Sequence, residues 1–244
     1  MGKSTTAVNL GAALAVLERD VLVIDGDPQG NTTTGLGIEK SAIEASIYDV
    51  LMRQASIADV IQPTEIERLK VVPATINLAG AEIELVSELS RETRMRDALS
   101  PVADAYDFIL IDSPPSLGLL TINALTAAHE ALIPVQAEYY ALEGLSQLTR
   151  VINRVREALN PRLHVSGVLV TMYDGRTRLA MEVLDELARF FPRQMFKTQI
   201  PRNVRLSEAP SYGKPVILFD IKSRGAQAYM ALAREMLEPA EVHA

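Results

Sequence analysis

Four short, mainly apolar runs set the terms for any fold of this chain. Val21-Leu22-Val23-Ile24 ends in Asp25, and Phe108-Ile109-Leu110-Ile111 ends in Asp112. Residues 131–135 and 165–171 form two more. A strand with one wet face alternates polar and apolar residues, whereas an unbroken apolar run suits a strand buried on both faces of a parallel sheet. Helical patterns lie between the runs. Over 142–159, Leu145, Leu148, Ile152, Val155 and Leu159 recur at three- and four-residue spacing. Over 5–18 helix formers dominate, with Val8, Leu14 and Leu17 available for burial. This alternation predicts an α/β fold: a doubly wound, mostly parallel sheet with helices on both faces. One domain over 1–244 is expected, with a short frayed tail over 238–244.

Composition removes several chemistries. The chain has no cysteine, which excludes disulfides, thiolate zinc sites and iron–sulfur ligation. No apolar run reaches the roughly 18 residues that span a bilayer, and no secretory leader is read, so a cytoplasmic protein is expected. The net charge of −7 argues against wholesale coating of nucleic acid. It is unevenly spread, however. Residues 148–224 hold 14 Lys+Arg against 7 Asp+Glu, so the rest of the chain carries −14. That basic half suggests one face that meets an anion, although arginines solvating helix surfaces would look the same.

In open α/β sheets ligands bind beyond the carboxyl ends of the strands, which is where Asp25 and Asp112 fall. Carboxylates there suit hydrated Mg²⁺, which keeps most of its waters. An aspartate that caps the following turn reads the same way, as does Asp27 before Pro28. The chain opens Gly2-Lys3-Ser4-Thr5 and runs directly into a helix, the second half of the pattern G-x-x-x-x-G-K-[ST]. A glycine lets backbone approach phosphate, and a helix N terminus offers unpaired N–H groups and a positive dipole end. A lysine and a hydroxyl at those positions serve the β/γ-phosphates and Mg²⁺.

With these residues in place the chain resembles the ParA/Soj partitioning ATPases. The resemblance rests on Ile24-Asp25-Gly26-Asp27-Pro28-Gln29-Gly30-Asn31, on the strand and turn from Tyr106 to Gly118, on Tyr139-Tyr140-Ala141-Leu142-Glu143-Gly144-Leu145, and on the block over 200–215. It runs from Gly2 to about residue 237. It implies an ATP- and Mg²⁺-binding protein that dimerises with nucleotide between the subunits. Gly2, Lys3, Ser4 and Thr5 would bind phosphates, with Ser4 on Mg²⁺ and Asp112 holding the ion through a water. Asp27 would position the attacking water, supported by Asp25. Met172, Pro201 and Asn203 would cradle the adenine, although Pro201 suits a plain turn as well. The resemblance further implies non-specific DNA binding in the ATP state, through Arg176 and Arg205 in the basic half, a ParB-like centromere-binding partner and a place on the nucleoid. The block over 200–215 leans towards the chromosomal type.

The chain departs from the family at its start. The family loop reads Lys-Gly-Gly-Val-Gly-Lys-[Ser/Thr] after a central strand, and Met1 stands here at the Val position. Relative to that pattern the strand, the Gly-Gly amides and the lysine that crosses the dimer are absent. A valine codon, GTG, read as an initiating methionine would account for this. A chain without those parts would be marginal or inactive, since unmade buried backbone bonds cost about 1–3 kcal/mol each. Three other functions share parts of the pattern. A MinD-like division-site regulator needs an amphipathic membrane helix, and 231–244 ends acidic with Arg234 its sole fixed positive charge. A reductase resembling the nitrogenase iron protein needs cysteines. A DNA-binding fragment that does not hydrolyse ATP is the third.

Overall fold

The computed structural model describes residues 2–138, 141–192 and 194–238. Met1, Tyr139 and Tyr140, on which the resemblance partly draws, and the tail from 239 lie outside them. The elements run α1 (Lys3–Val16), β1 (Val21–Asp25), α2 (Asn31–Gly35), α3 (Ile47–Leu51), α4 (Ile57–Val60), β2 (Gln62–Pro63), β3 (Leu69–Val72), α5 (Leu78–Glu84), α6 (Arg94–Leu99) and β4 (Phe108–Asp112). They continue with α7 (Leu119–Ala127), β5 (Glu130–Gln136), α8 (Ala141–Ala158), β6 (His164–Thr171), α9 (Arg178–Phe190), α10 (Val204–Glu208), α11 (Val216–Phe219) and α12 (Arg224–Leu237).

All four apolar runs are strands. β1 lies between β3 and β4, parallel to both, with Asp25 in register with Asp112. The short β2 flanks β3 in the antiparallel sense, and β5 pairs with β6 in parallel. Every residue of β1 is buried because alternate side chains enter different layers. Val21 and Val23 join a core with α1 and α12, while Leu22 and Ile24 join one with α3, α5, α6 and α7. Sequence reasoning passed over β2 and β3. Leu69-Lys70-Val71-Val72 is broken by a lysine that stays exposed, so no continuous run announces it.

Between β4 and β5 the described residues form no ladder. β2-β3-β1-β4 form one ladder and β5-β6 another, and among the described residues nothing bonds to the outer edge of β4. Phe108, Ile109, Leu110 and Ile111 are therefore only half-buried, where the equivalent run of β1 is fully enclosed. The expectation that this run is covered on both faces fails for that reason.

Helix α1 is more deeply enclosed than its sequence suggested. Thr6 to Ala15 are all buried. Gly11 allows this by lying against Val23, Leu69 and Leu110 of the sheet, where even a methyl group would strike Val23. On its other side α1 meets α12, where Tyr229 is 1% exposed and its hydroxyl lies 3.2 Å from Thr6 Oγ1. Tyr229→Ala should therefore cost about 3–5 kcal/mol of stability, as other large aromatic truncations do. Tyr229→Phe, which loses the one hydrogen bond, should cost only about 1 kcal/mol. Urea unfolding followed by circular dichroism measures both.

Candidate active site

Three chain segments converge at the carboxyl ends of the strands. The first is the start of α1. Gly2 caps this helix in the left-handed region at φ 110°, with no side-chain cap and no acidic residue in the first turn. Its N–H groups and dipole end are thus left for a ligand. Thr171, the last residue of β6, stands 3.1 Å from where a Cβ on Gly2 would sit, so no larger residue fits there without displacement. Lys3, Ser4 and Thr5 follow in the first turn, half-buried.

The second segment leaves β1. Asp25 is completely buried. Its Oδ2 accepts the Thr33 N–H at 2.7 Å and the Thr33 hydroxyl at 2.6 Å, and its Oδ1 accepts the Asp27 N–H at 3.2 Å. Burial pushes its pKa up to about 6, with the Asp112 charge adding to the rise and the Thr33 and Asp27 donors opposing it. Asp27, also buried, accepts the Gln29 N–H at 2.9 Å on Oδ1, the turn-forming bond expected of an Asp before Pro. Asp25 therefore tethers the backbone of Asp27.

The third segment is the end of β4. Asp112 is buried, and its Oδ2 accepts the Thr32 hydroxyl at 2.7 Å. Its Oδ1 is buried and, among the described residues, no donor makes a well-formed hydrogen bond to it. Burial raises its pKa, opposed by the Ser4 and Thr32 hydroxyls and by the Lys3 ammonium. The Ser4 hydroxyl acts from nearby without completing a hydrogen bond to Oδ1. Gly26 lets β1 and β4 end in close contact, its N–H donating to the Asp112 carbonyl at 2.9 Å. Among the described residues no cluster of three or more His, Cys, Asp or Glu could cage a metal. One buried carboxylate with an open oxygen, beside a serine hydroxyl, fits Mg²⁺, which takes few protein ligands and retains its water shell.

Thr32 and Thr33 were missed by sequence reasoning. Their signal is the Thr32-Thr33-Thr34 run at the start of α2, where hydroxyls reach back to strand-end carboxylates.

The residues expected around adenine are brought together in part. Met172 follows β6 in the left-handed region at φ 51°, half-exposed, with its Sδ accepting from Gln136 Nε2. Tyr173, next to it, bridges to Pro201. Asn203 caps α10, its Oδ1 accepting the Arg205 N–H at 2.9 Å. Both arginines expected at DNA are engaged with carboxylates. Arg176 forms a forked pair with Asp174, holding that carboxyl down at about 2. Arg205 contacts Glu208 and Asp220 and lies over the Phe219 ring. Arg176 remains largely exposed and Arg205 half-exposed.

Known proteins resemble this chain over nearly its whole length. A family model described as an AAA domain matches residues 1–165. The chain is 57% identical to the sporulation initiation inhibitor protein Soj of Bacillus subtilis (strain 168), over 97% of this chain and 93% of that protein. It is 55% identical to the chromosome partitioning protein ParA of Myxococcus xanthus, over 98% of this chain and 84% of that one. Among solved structures, cobyrinic acid a,c-diamide synthase from Mycobacterium smegmatis with bound ATP analogue and magnesium superposes with a TM-score of 0.85 at 36% identity, over 97% of this chain and 89% of that one.

A buried carboxylate with a raised pKa has a predictable effect on stability. In the ligand-free chain Asp25 binds its proton more tightly folded than unfolded. Between pH of about 4 and about 6 the native state then holds more protons, and this group's contribution to stability falls as pH rises through that window, by about 3 kcal/mol in all. Asp25→Asn should remove that downward component, whatever its absolute stability. Urea midpoints taken across the window, for both proteins, measure the difference in slope.

Proposed function

This chain belongs to the Soj/ParA family of chromosome-partitioning proteins, and we propose that it is a DNA-partitioning ATPase. In this reading an ATP-bound dimer holds DNA without regard to sequence and lets go on hydrolysis, which a ParB-like centromere-binding partner stimulates. It works in the cytoplasm, on the nucleoid. The observation that supports it most is the meeting of an uncapped helix N terminus with a buried carboxylate whose Oδ1 receives no well-formed hydrogen bond among the described residues.

Phosphoryl transfer asks a protein chiefly for positioning and charge neutralisation. The first-turn N–H groups of α1 and the Lys3 ammonium take the β- and γ-phosphates, and Thr5 takes the α-phosphate. The Ser4 hydroxyl and, through water, Asp112 hold Mg²⁺, which when bound neutralises charge on the phosphate oxygens. Asp27 orients the water for in-line attack. Asp25, through its bond to the Asp27 N–H, keeps that carboxylate in place. Met172, Pro201 and Asn203 line the adenine side, where Asn203 keeps its amide N–H₂ for the base while its Oδ1 caps α10. Among the described residues no helix is long and apolar enough to cross a membrane.

For DNA, Arg205 and Arg176 turn from their carboxylates to backbone phosphates. Exposed pairs of this kind contribute about 0–1 kcal/mol, so exchanging one anion for another is inexpensive. Binding of this sort is non-specific and weakens with salt.

Two variants test the assignment, in the 244-residue chain and in a form extended ahead of Gly2 by an apolar strand and Lys-Gly-Gly-Val, because the open edge of β4 borders the site. In the active form Asp27→Ala should still bind ATP and DNA while hydrolysis falls about a hundredfold. Undiminished turnover would remove Asp27 from the mechanism. Arg205→Ala should leave ATP-driven dimerisation intact and make the salt dependence of DNA binding shallower by about one phosphate contact. Unchanged DNA affinity and slope would refute its role.

A further inference from the structure

Two consecutive threonines serve two carboxylates on neighbouring strands. Thr33 fastens the start of α2 to β1, since its N–H and its hydroxyl both donate to Asp25 Oδ2, at 2.7 and 2.6 Å. The Ala74 N–H, just beyond β3, donates to the same hydroxyl at 2.9 Å. Thr32 is held by that anchored neighbour and by its own burial, at 0% exposure. Its hydroxyl donates to Asp112 Oδ2 at 2.7 Å. A hydroxyl carries a single proton, so this one is committed.

The bond divides the Asp112 carboxylate. Oδ2 is occupied by Thr32, while the buried Oδ1 receives no well-formed hydrogen bond among the described residues. The backbone of Asp112 is fixed as well, in register with Asp25 and with its carbonyl accepting the Gly26 N–H at 2.9 Å. A rotation that turned both carboxylate oxygens towards a ligand would break the Thr32 bond and leave a buried hydroxyl without its acceptor, which is unfavourable.

Divalent cations differ in what they ask of a carboxylate. Ca²⁺ accepts both oxygens of one carboxylate within a flexible shell, whereas Mg²⁺ holds to octahedral geometry and keeps several of its waters. A carboxylate with one oxygen already bonded suits Mg²⁺ better. We propose that Thr32 is a specificity-determining positioning residue. By tying Oδ2 it presents Asp112 to the cation through Oδ1 alone, and so favours Mg²⁺ over Ca²⁺ at the nucleotide site. The inference rests on the reading of Asp112 as the residue that holds the nucleotide's cation through water. Thr32 itself touches neither cation nor nucleotide and acts through Asp112.

The test measures binding of a fluorescent, non-hydrolysable ATP analogue to the full chain, with saturating Mg²⁺ and separately with saturating Ca²⁺. Valine matches threonine in shape without the hydroxyl, and serine keeps the hydroxyl. The parent should bind more tightly with Mg²⁺. Thr32→Val should lose about tenfold in affinity with Mg²⁺, the usual effect of removing a partner from a metal-holding side chain. It should lose much less with Ca²⁺, so the ratio of the two affinities falls. Thr32→Ser should restore the parent's ratio. Thr32→Ala adds no bulk and carries the test should circular dichroism show that Thr32→Val does not fold. A merely structural role would weaken binding equally with both cations, and that result would overturn the proposal. So would a parent that binds equally well with either. Asp112→Asn separates the two levels of failure. If it leaves the Mg²⁺ affinity and the ratio unchanged, or if the parent binds the analogue with neither cation, the reading of the site falls and the inference with it. If Asp112→Asn abolishes the Mg²⁺ preference and Thr32→Val does not alter it, the role of Thr32 alone is refuted.

Discussion

Two carboxylates buried side by side are the constraint that organises this protein. Asp25 and Asp112 end adjacent parallel strands in register, so their charges meet in the least hydrated part of the molecule. Leaving such charges without partners would cost several kcal/mol. Much of the surrounding structure meets that cost. The α2 turn supplies the hydroxyls of Thr32 and Thr33, and the turn after β1 supplies the Asp27 N–H. The first turn of α1 supplies Ser4 and the Lys3 charge. One oxygen of Asp112 still lacks a well-formed hydrogen bond among the described residues.

The first turn of α1 owes its place in that compensation of charge to the packing of the whole helix. Its burial on nearly all sides, between the sheet and α12, places the helix N terminus beside Thr171 and opposite Asp112. The Tyr229–Thr6 contact and the close approach of Gly11 to β1 are therefore part of the site, although neither touches it. The sheet beneath is less complete. β4 is bonded on one edge only, and its half-buried apolar residues show what an open edge does to a strand whose sequence expects enclosure.

The two halves of the chain differ in charge, and the structure gives each a different surface. The basic half presents Arg176 and Arg205, each paired at the surface with an aspartate or glutamate. The acidic half presents exposed Ile83 and Leu89 near Glu82 and Glu84, whose carboxylates accept from the Leu120 N–H and the Tyr48 hydroxyl.

Much of this was legible in the residues themselves. Mainly apolar runs identified four of the strands, and two of them end in the aspartates that the structure buries in register, because a strand enclosed on both faces tolerates polar groups only where it emerges. Gly2-Lys3-Ser4-Thr5 marked the start of α1, where the structure has a helix N terminus with no side-chain cap. Short-range patterns carry such information because backbone conformation and burial are local demands. β3 escaped notice because Lys70 interrupts it, and Thr32 and Thr33 because their partners are 80 and 8 residues away in sequence. Only the tertiary structure decided that Asp25 and Asp112 share one buried environment, that one Asp112 oxygen is left without a well-formed hydrogen bond among the described residues, and that Ile83 and Leu89 face solvent. Each of these depends on which distant segments exclude water from a given atom, and that is a property of packing in three dimensions.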